Sequence, residues 1–139
     1  MGKLVARHIP NPSNIHWSIL YPKNPFTYMW YYKTEVVNNT SKALQIIWFD
    51  HFYFHENRWY PDNIKQRPLT GYDFSMWYGD LETIIDGLIP PGKTATCDLN
   101  WHGFSKPHTV PRKWAYRAID PEGCEHYAEA VIEGAPIKG

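Results

Sequence analysis

Asp50 and His51 are adjacent ionisable side chains inside the most apolar stretch of the chain, residues 43–60 (ALQIIWFDHFYFHENRWY). Burying a charged group costs free energy unless the group is paired, so ionisable side chains at such positions need an explanation. A buried carboxylate has a raised pKa, and beside a histidine it can act as an acid or a base in proton transfer. In the structural alternative, Asp50 forms an ion pair with an arginine. The candidate partners are Arg58, Arg67 and Arg117.

His51 and His55 raise the question of a metal site. Four residues on an extended strand span about 13 Å, which is beyond the reach of one ion, whereas the same spacing on a helix would suit zinc. A metal site would then need histidines from distant segments. The candidates are His102, His108 and His126. The spacing therefore predicts no metal site. The sequence also lacks a glycine-rich phosphate loop, and it predicts no cofactor.

Aromatic pairs at predicted strand ends or loops form a second group of candidates. Flat rings at these places could stack on a sugar or on an apolar ring, and neighbouring polar side chains could supply directional hydrogen bonds. The alternative is that most of these rings belong to the core or face a partner. The predicted ligand-binding residues are Arg58, Trp59, Tyr60, Trp77, Tyr78, Trp101 and His102.

Composition limits the classes of function. The 139 residues suit one domain with a single core, and 14 basic residues balance 14 acidic ones, which does not favour nucleic acid as a partner. No window approaches the roughly 20 apolar residues of a membrane span. The start of the chain lacks the apolar stretch of a secretory signal, so we expect a cytoplasmic protein, or an exported one if a signal was removed. Cys97 and Cys124 could be free thiols, or one disulfide in an exported protein.

The segments that must position these residues show the alternation of β-strands, with turn residues between them. The predicted strands are residues 15–20, 28–37, 43–60, 71–78, 93–101, 113–119 and 125–133. Residues 81–89 fit either a helical turn or a short strand. The sequence therefore predicts an all-β, antiparallel sandwich of about seven strands. It divides the chain into an extended arm with an edge strand (1–27), the sandwich (28–132) and a tail (133–139).

The apolar pattern also predicts which side chains share a face. In the central strand, one face is expected to carry Ile46, Trp48, Phe52 and Phe54, and the other Ile47, Phe49 and Tyr53. Along residues 93–101, the alternation predicts four inward side chains and four outward ones. The inward set is Ala95, Cys97, Leu99 and Trp101, and the outward set is Thr94, Thr96, Asp98 and Asn100.

Three short stretches, 37–44 (VNNTSKAL), 89–94 (IPPGKT) and 114–123 (WAYRAIDPEG), resemble the landmarks of immunoglobulin-like domains of the fibronectin type III and CARDB-like kind. The resemblance covers roughly residues 28–132. It implies a sandwich that serves as an adhesive, binding or spacer module, and it assigns no catalytic residue. The chain departs from the pattern in its aromatic content and in a long insertion at residues 56–72.

Two functions from different classes follow. The first is a non-catalytic binding or interaction module that recognises a small ligand, a carbohydrate or a protein partner through the loop aromatics. The second is a small enzyme, a lyase, isomerase or cyclase, that uses Asp50 and His51 as acid and base in an aromatic pocket. A deep pocket lined by Asp50 and His51 favours the enzyme, and a flat aromatic face favours the module. The sequence does not predict the oligomeric state.

Overall fold

The structure, a computed structural model, describes residues 2–13, 15–17, 28–62, 65–79, 86–104 and 110–134. Their elements, in chain order, are β1 (Leu4–Ile9), β2 (Ile15–Trp17), β3 (Tyr28–Asn38), β4 (Leu44–His55), β5 (Arg58–Pro61), α1 (Gly71–Tyr78), β6 (Leu88–Ile89), β7 (Thr94–Phe104), β8 (Arg112–Ile119) and β9 (Glu125–Ile132). The strands form two antiparallel sheets that pack against each other, which confirms the predicted all-β sandwich.

The two sheets are each built around one long strand. In the first sheet, β3 pairs with β1 and β2 along one edge and with β7 along the other. In the second sheet the order is β5-β4-β8-β9, and β6 also pairs with β4. The side chains between the sheets form one core. Its largest fully buried members are Trp30, Val36, Leu44, Ile46, Phe49, Leu69, Phe74, Tyr78, Ile89, Tyr116 and Ile132.

The predicted N-terminal arm contributes two strands to the first sheet. Pro10 and Pro12 lie between β1 and β2, so they interrupt the chain without preventing a strand on either side of them. His8 anchors β1, because its ring nitrogens contact Thr34 Oγ1 at 2.8 Å and the carbonyl oxygen of Ala130 at 2.9 Å. Residues 18–27 of the predicted arm and 135–139 of the predicted tail lie outside the described residues.

Residues 71–78 form a helix, whereas the sequence analysis predicted a strand. The buried positions Gly71, Phe74, Ser75 and Tyr78 follow helical spacing, and the exposed Tyr72 and Met76 alternate with them by coincidence. Asp73 stabilises the helix start, since its Oδ2 accepts the backbone N–H of Thr70 at 2.8 Å. Phe74 and Tyr78 then stack on each other at 4.4 Å. None of the helices that the structure describes is long and apolar enough to cross a membrane.

The ambiguous segment 81–89 is described in part. Its last two residues form β6, which pairs with the start of β4. Residues 81–85 lie outside the described residues.

A β-bulge in β4 changes the predicted faces of the central strand. The register with β8 shifts between Ile46 and Trp48, so Ile47 is left out of the pairing and is 43% exposed. Beyond the bulge the inward parity is reversed, as one inserted residue requires. Ile46 and Phe49 therefore both face the core, and His51 follows Phe49 on the inner face. The prediction that Ile46 shares a face with Trp48 is wrong for this reason.

A second bulge reverses the faces of β7. Opposite β3, Tyr32 pairs with Asn100 and Thr34 pairs with Cys97, so β7 carries one more residue than β3 between these pairs. Asn100 and His102 are buried as a result, and Leu99 and Trp101, which were predicted inward, are 65% and 51% exposed. The two bulges together turn two histidines, one from each sheet, toward the space between the sheets.

Candidate functional site

A cavity of about 530 Å³ lies between β7 of the first sheet and β4 and β8 of the second. Most of its wall is aromatic or aliphatic, and few polar groups reach it. The lining residues are His51, Asp62, Trp77, Cys97, Leu99, Asn100, Trp101, His102, Gly103 and Trp114. We call this space the inner cavity. Its size and its mostly apolar wall are those of a small-molecule site.

The tight hairpin between β4 and β5 brings Asp62 beside His51. Glu56 and Asn57 form the turn with φ of 49° and 64°, the conformation of two-residue hairpin loops, which Asn tolerates well. The returning chain donates the backbone N–H of Asp62 to the carbonyl oxygen of His51 at 2.8 Å. The Asp62 carboxylate then lies with Oδ2 2.5 Å from Nδ1 of His51.

The two ring nitrogens of His51, a residue that lines the inner cavity, differ in their contacts. A carboxylate accepts hydrogen bonds, so Nδ1 carries the proton that it donates to Asp62, and in the neutral ring Nε2 keeps its lone pair. Nε2 is buried and has no hydrogen-bond partner among the residues that the structure describes. The ring is 3% exposed and packs between Trp114 at 4.7 Å and His102 at 5.0 Å. The neutral ring therefore has one buried acceptor nitrogen, Nε2, without a partner among the described residues.

Arg112 lies behind the carboxylate. Its Nη1 is 3.8 Å from Asp62 Oδ2, and the side chain is 17% exposed. Burial lowers the pKa of Arg112, but a guanidinium remains charged at any physiological pH. Its positive charge thus lies next to the carboxylate that accepts the hydrogen bond from Nδ1 of His51.

Hydrogen bonds hold the walls of the inner cavity in place. The indole Nε1 of Trp114 donates to Tyr32 Oη at 2.9 Å. The amide of Asn100 donates to Thr34 Oγ1 at 3.0 Å, and the same oxygen contacts His8. The site is therefore built on strands whose side chains are already fixed, which limits the reorganisation needed when a ligand binds.

Cys97 contributes a thiol to the wall. Burial raises its pKa, so the thiol stays protonated and is a poor nucleophile. Cys97 and Cys124 are both free, and Cys124 is exposed. The thiol thus serves as a small apolar surface.

Asp50 and His51 do not meet in one pocket. They project from opposite sides of β4, and the only bond between them joins Asp50 Oδ1 to the backbone N–H of His51 at 2.8 Å. The predicted arginine partners do not reach Asp50 either, because Arg67 binds Asp73 and Arg117 lies 3.6 Å from Glu125. The chemical partner of His51 is Asp62, twelve residues after Asp50.

The predicted ligand-binding residues divide into three groups. Trp77, Trp101 and His102 line the inner cavity. Arg58, Trp59 and Tyr60 lie in β5, away from it: the Trp59 ring packs on Phe54 at 5.0 Å, and the Tyr60 ring stacks on Tyr53 at 5.5 Å. Tyr78 is fully buried, and its hydroxyl lies 2.5 Å from that of Tyr116. The prediction that Tyr78 lies at an exposed strand end is therefore wrong, because it belongs to the core face of α1.

Three residues around His51 were not predicted from the sequence as site residues: Asp62, Arg112 and Trp114. The signal for Asp62 was the turn at residues 56–57, because a two-residue hairpin places position 62 opposite position 51. Trp114 lies on the core face of β8 and also lines the cavity.

No group of three or more His, Cys, Asp or Glu side chains in the described part of the chain could hold a metal ion. His102 lies near His51, whereas His126 is bonded to Asp120 at 3.0 Å. His108 lies outside the described residues.

No family model matches the chain, and no curated protein matches it. Among solved structures, AvmM, which catalyses macrocyclization in alchivemycin A biosynthesis, is similar to this chain with 13% identity and a TM-score of 0.43. The alignment covers 99% of this chain and 92% of that one. At this similarity no residue role passes from one protein to the other. The immunoglobulin-like resemblance remains a prediction.

Proposed function

We propose that the chain is a small acid–base enzyme in which His51 takes a proton from a substrate held in the inner cavity. The observation that carries the proposal is the unpartnered, buried Nε2 of His51, combined with the contact of Nδ1 with Asp62 at 2.5 Å. A buried nitrogen without a partner costs free energy, and a substrate C–H, O–H or N–H group would supply the missing contact. Proton removal of this kind begins lyase, isomerase and cyclase reactions.

Each neighbour of His51 has a role in this reaction. When Nε2 accepts the proton the ring becomes an imidazolium, and Asp62 stabilises that positive charge. Arg112 acts through Asp62 and is a positioning residue. Trp77 and Trp114 exclude water, which strengthens the electrostatic interaction between the imidazolium and the carboxylate. A positioned general base of this type accelerates a reaction by about 10²–10⁴-fold.

The lining also defines the substrate class. No Lys or Arg is found among the described residues that line the inner cavity, so a carboxylate or phosphate group would have no strong partner there. Flat apolar surfaces from three tryptophans favour a small, uncharged and largely apolar molecule that presents a weakly acidic proton.

A non-catalytic binding site is the second candidate function. The half-exposed Trp101 ring at the rim favours it, because such a ring can stack on a ligand without any proton transfer. Both functions use the inner cavity, but only the enzyme requires His51 for its activity.

The test uses 5-nitrobenzisoxazole, a flat, uncharged aromatic carbon acid. Removal of its C3 proton by Nε2 breaks the N–O bond and releases 2-cyano-4-nitrophenolate, whose absorbance is measured. We expect the wild-type protein to accelerate this elimination, His51→Ala to lose at least about 100-fold, and Asp62→Asn about tenfold. His55→Ala is the matched control, because His55 is an exposed histidine on the same strand and should leave the rate unchanged.

Binding of the neutral fluorescent probe N-phenyl-1-naphthylamine is measured on the same proteins. If His51→Ala binds the probe and retains the wild-type elimination rate, the acid–base function is refuted and the binding function stands. Loss of turnover with retained probe binding would establish His51 as the base.

A further inference from the structure

A second cavity of about 610 Å³ lies on the other side of β4, on the outer face of the second sheet. We call it the outer cavity. It has one buried carboxylate, two aromatic rings and two prolines in its wall. The lining residues are Trp48, Asp50, Phe52, Pro61, Gln66, Arg67 and Pro68. It shares no lining residue with the inner cavity.

Beside the basic residue Arg67, the described lining of the outer cavity has one acidic residue, Asp50. It is 8% exposed, and its Oδ1 accepts one hydrogen bond, from the backbone N–H of His51. Asp50 forms no ion pair within the part of the chain that the structure describes. Burial accordingly raises the pKa of this carboxyl. A carboxylate held in this way lacks a counter-charge, and a bound cation would supply it.

The cationic side chains around the outer cavity already have carboxylate partners. These pairs are Arg67 with Asp73 at 2.7 Å, Lys113 with Glu129 at 3.3 Å and Arg117 with Glu125 at 3.6 Å. The Arg67 pair is bidentate, with a second bond of 2.8 Å, so both terminal nitrogens of this guanidinium are bonded to Asp73. No cationic side chain that the structure describes is therefore paired with Asp50.

The rings beside Asp50 also suit a cation. Trp48 and Phe52 lie two residues before and after Asp50 on the same side of the strand, with centroids 6.2 Å apart. The faces of these rings attract positive charge. The protein shows this already, because the guanidinium carbon of Arg117 lies 4.9 Å from the centroid of Trp48 and the ammonium of Lys113 lies 5.2 Å from that of Phe52. Pro61 and Pro68 add apolar walls that would contact an alkyl chain.

We propose that the outer cavity binds an organic ammonium group, with Asp50 as its counter-ion and the Trp48 and Phe52 rings as its aromatic wall. The group is an ammonium on an alkyl chain, carried by a free amine or by a lysine side chain of a peptide. This site is independent of the inner cavity, so its success or failure does not bear on the role of His51.

The test titrates the protein with n-butylammonium chloride at pH 7.5 and constant ionic strength, with binding followed by calorimetry. We expect saturable binding in the millimolar range, with n-butanol, the uncharged molecule of similar shape, at least about tenfold weaker. Asp50→Asn should reduce the affinity for n-butylammonium at least about tenfold, and Trp48→Leu several-fold. His55→Ala is the control, because His55 is exposed on the same strand and lines neither cavity, and this variant should bind n-butylammonium like the wild type.

A second titration uses a blocked glycine–lysine–glycine tripeptide to identify the source of the ammonium. Binding of the tripeptide at the affinity of the amine, with the same loss in Asp50→Asn, assigns the site to a lysine side chain. Binding of the amine alone assigns it to a free amine. The proposal is overturned if n-butylammonium shows no saturable binding up to about 50 mM, or if Asp50→Asn binds it as the wild type does.

Discussion

Residues 50 and 51 of β4 are both buried and ionisable, but they lie on opposite faces and differ in whether the chain supplies a charged partner. On the inner face, His51 has a carboxylate partner, Asp62, that the chain itself supplies through a two-residue hairpin. On the outer face, Asp50 is buried to a similar degree, and the donor it has among the described residues is the backbone N–H of His51. A group that is paired within the chain is oriented for chemistry. A group that is left unpaired in a cavity is suited to binding a partner of opposite charge.

The inner face itself changes character within two residues. Phe49 is surrounded by rings and is fully buried, whereas His51 opens onto the inner cavity. The rings around Phe49 are Phe74, Trp77, Tyr78, Trp114 and Tyr116. Dense packing next to the cavity holds the strand that carries His51, so the site is placed by a rigid element.

Phe49→Ala and Phe52→Ala compare packing on the two faces, and we expect the largest effect here. Phe49 contacts five rings in the core, so its truncation should lower the free energy of unfolding by about 3–5 kcal/mol. Phe52 is partly exposed beside the outer cavity, and its truncation should cost less than about 1 kcal/mol. Urea denaturation measures both. Equal losses would mean that the outer face is packed as tightly as the core.

His8 sharpens the contrast with His51, because both of its ring nitrogens have partners within the chain. Burial, the main cause, lowers the pKa of His8 from 6.5 to about 4. Between pH 6.5 and pH 4, His8 therefore binds a proton in the unfolded chain but not in the folded chain. The free energy of unfolding falls as the pH drops through this range. The loss from this one residue is about 3 kcal/mol.

The measurement is the free energy of unfolding from pH 7.5 to pH 4 in wild type and in His8→Gln. We expect the wild type to lose about 3 kcal/mol more than the variant over this range, since glutamine does not titrate. The same pH dependence in both proteins would contradict the assignment of His8 as a buried neutral histidine.

Asp62→Asn and Asp50→Asn test the central comparison through stability. Asp62→Asn removes a charge-assisted hydrogen bond to His51 and should cost about 1–3 kcal/mol at pH 7. Asp50 has a raised pKa, so the folded state is penalised where the carboxyl is ionised, and stability rises as the pH falls through the folded pKa. Asparagine removes that penalty. We therefore expect Asp50→Asn to be neutral or to stabilise by up to about 1 kcal/mol at pH 7.

Thermal denaturation at pH 7 and pH 5 measures both variants beside the wild type. The gain from Asp50→Asn should shrink at pH 5, where more of the wild-type carboxyl is protonated. A loss of about 3 kcal/mol in Asp50→Asn would show that Asp50 has a cationic partner in the free protein.

The all-β class of the fold could be predicted from alternation and turn residues. The face of the sheet on which each side chain lies could not. Alternation fixes parity only as long as no residue is inserted, and each bulge reverses it. Glycine often marks a bulge in a sequence, but the residues at these positions are Ile47 in β4 and Leu99 in β7. The prediction therefore placed Asn100 outward, although it is buried at the inner cavity.

The candidate site was predicted only in part, again because the face on which each side chain lies could not be predicted. His51 was recognised because an ionisable group in an apolar strand is unusual, and Trp77 and Trp101 because their rings were predicted at strand ends or loops, where they could stack on a ligand. Its partner was assigned to the neighbouring Asp50, but adjacent residues on a strand point to opposite faces. The helix at residues 71–78 was missed because two exposed and two buried aromatic or apolar residues happen to alternate.

Trp101→Ala should have the smallest effect on stability. It should nevertheless weaken binding in the inner cavity, whereas a similar substitution elsewhere on the surface should not. The ring is 51% exposed, so its loss should change the free energy of unfolding by less than about 0.5 kcal/mol. Binding of N-phenyl-1-naphthylamine should weaken several-fold, because the rim loses its flat wall. Tyr72→Ala is the matched control: Tyr72 is 65% exposed on α1 and does not line the cavity. Equal probe affinity in both variants would show that ligands enter the cavity without using Trp101.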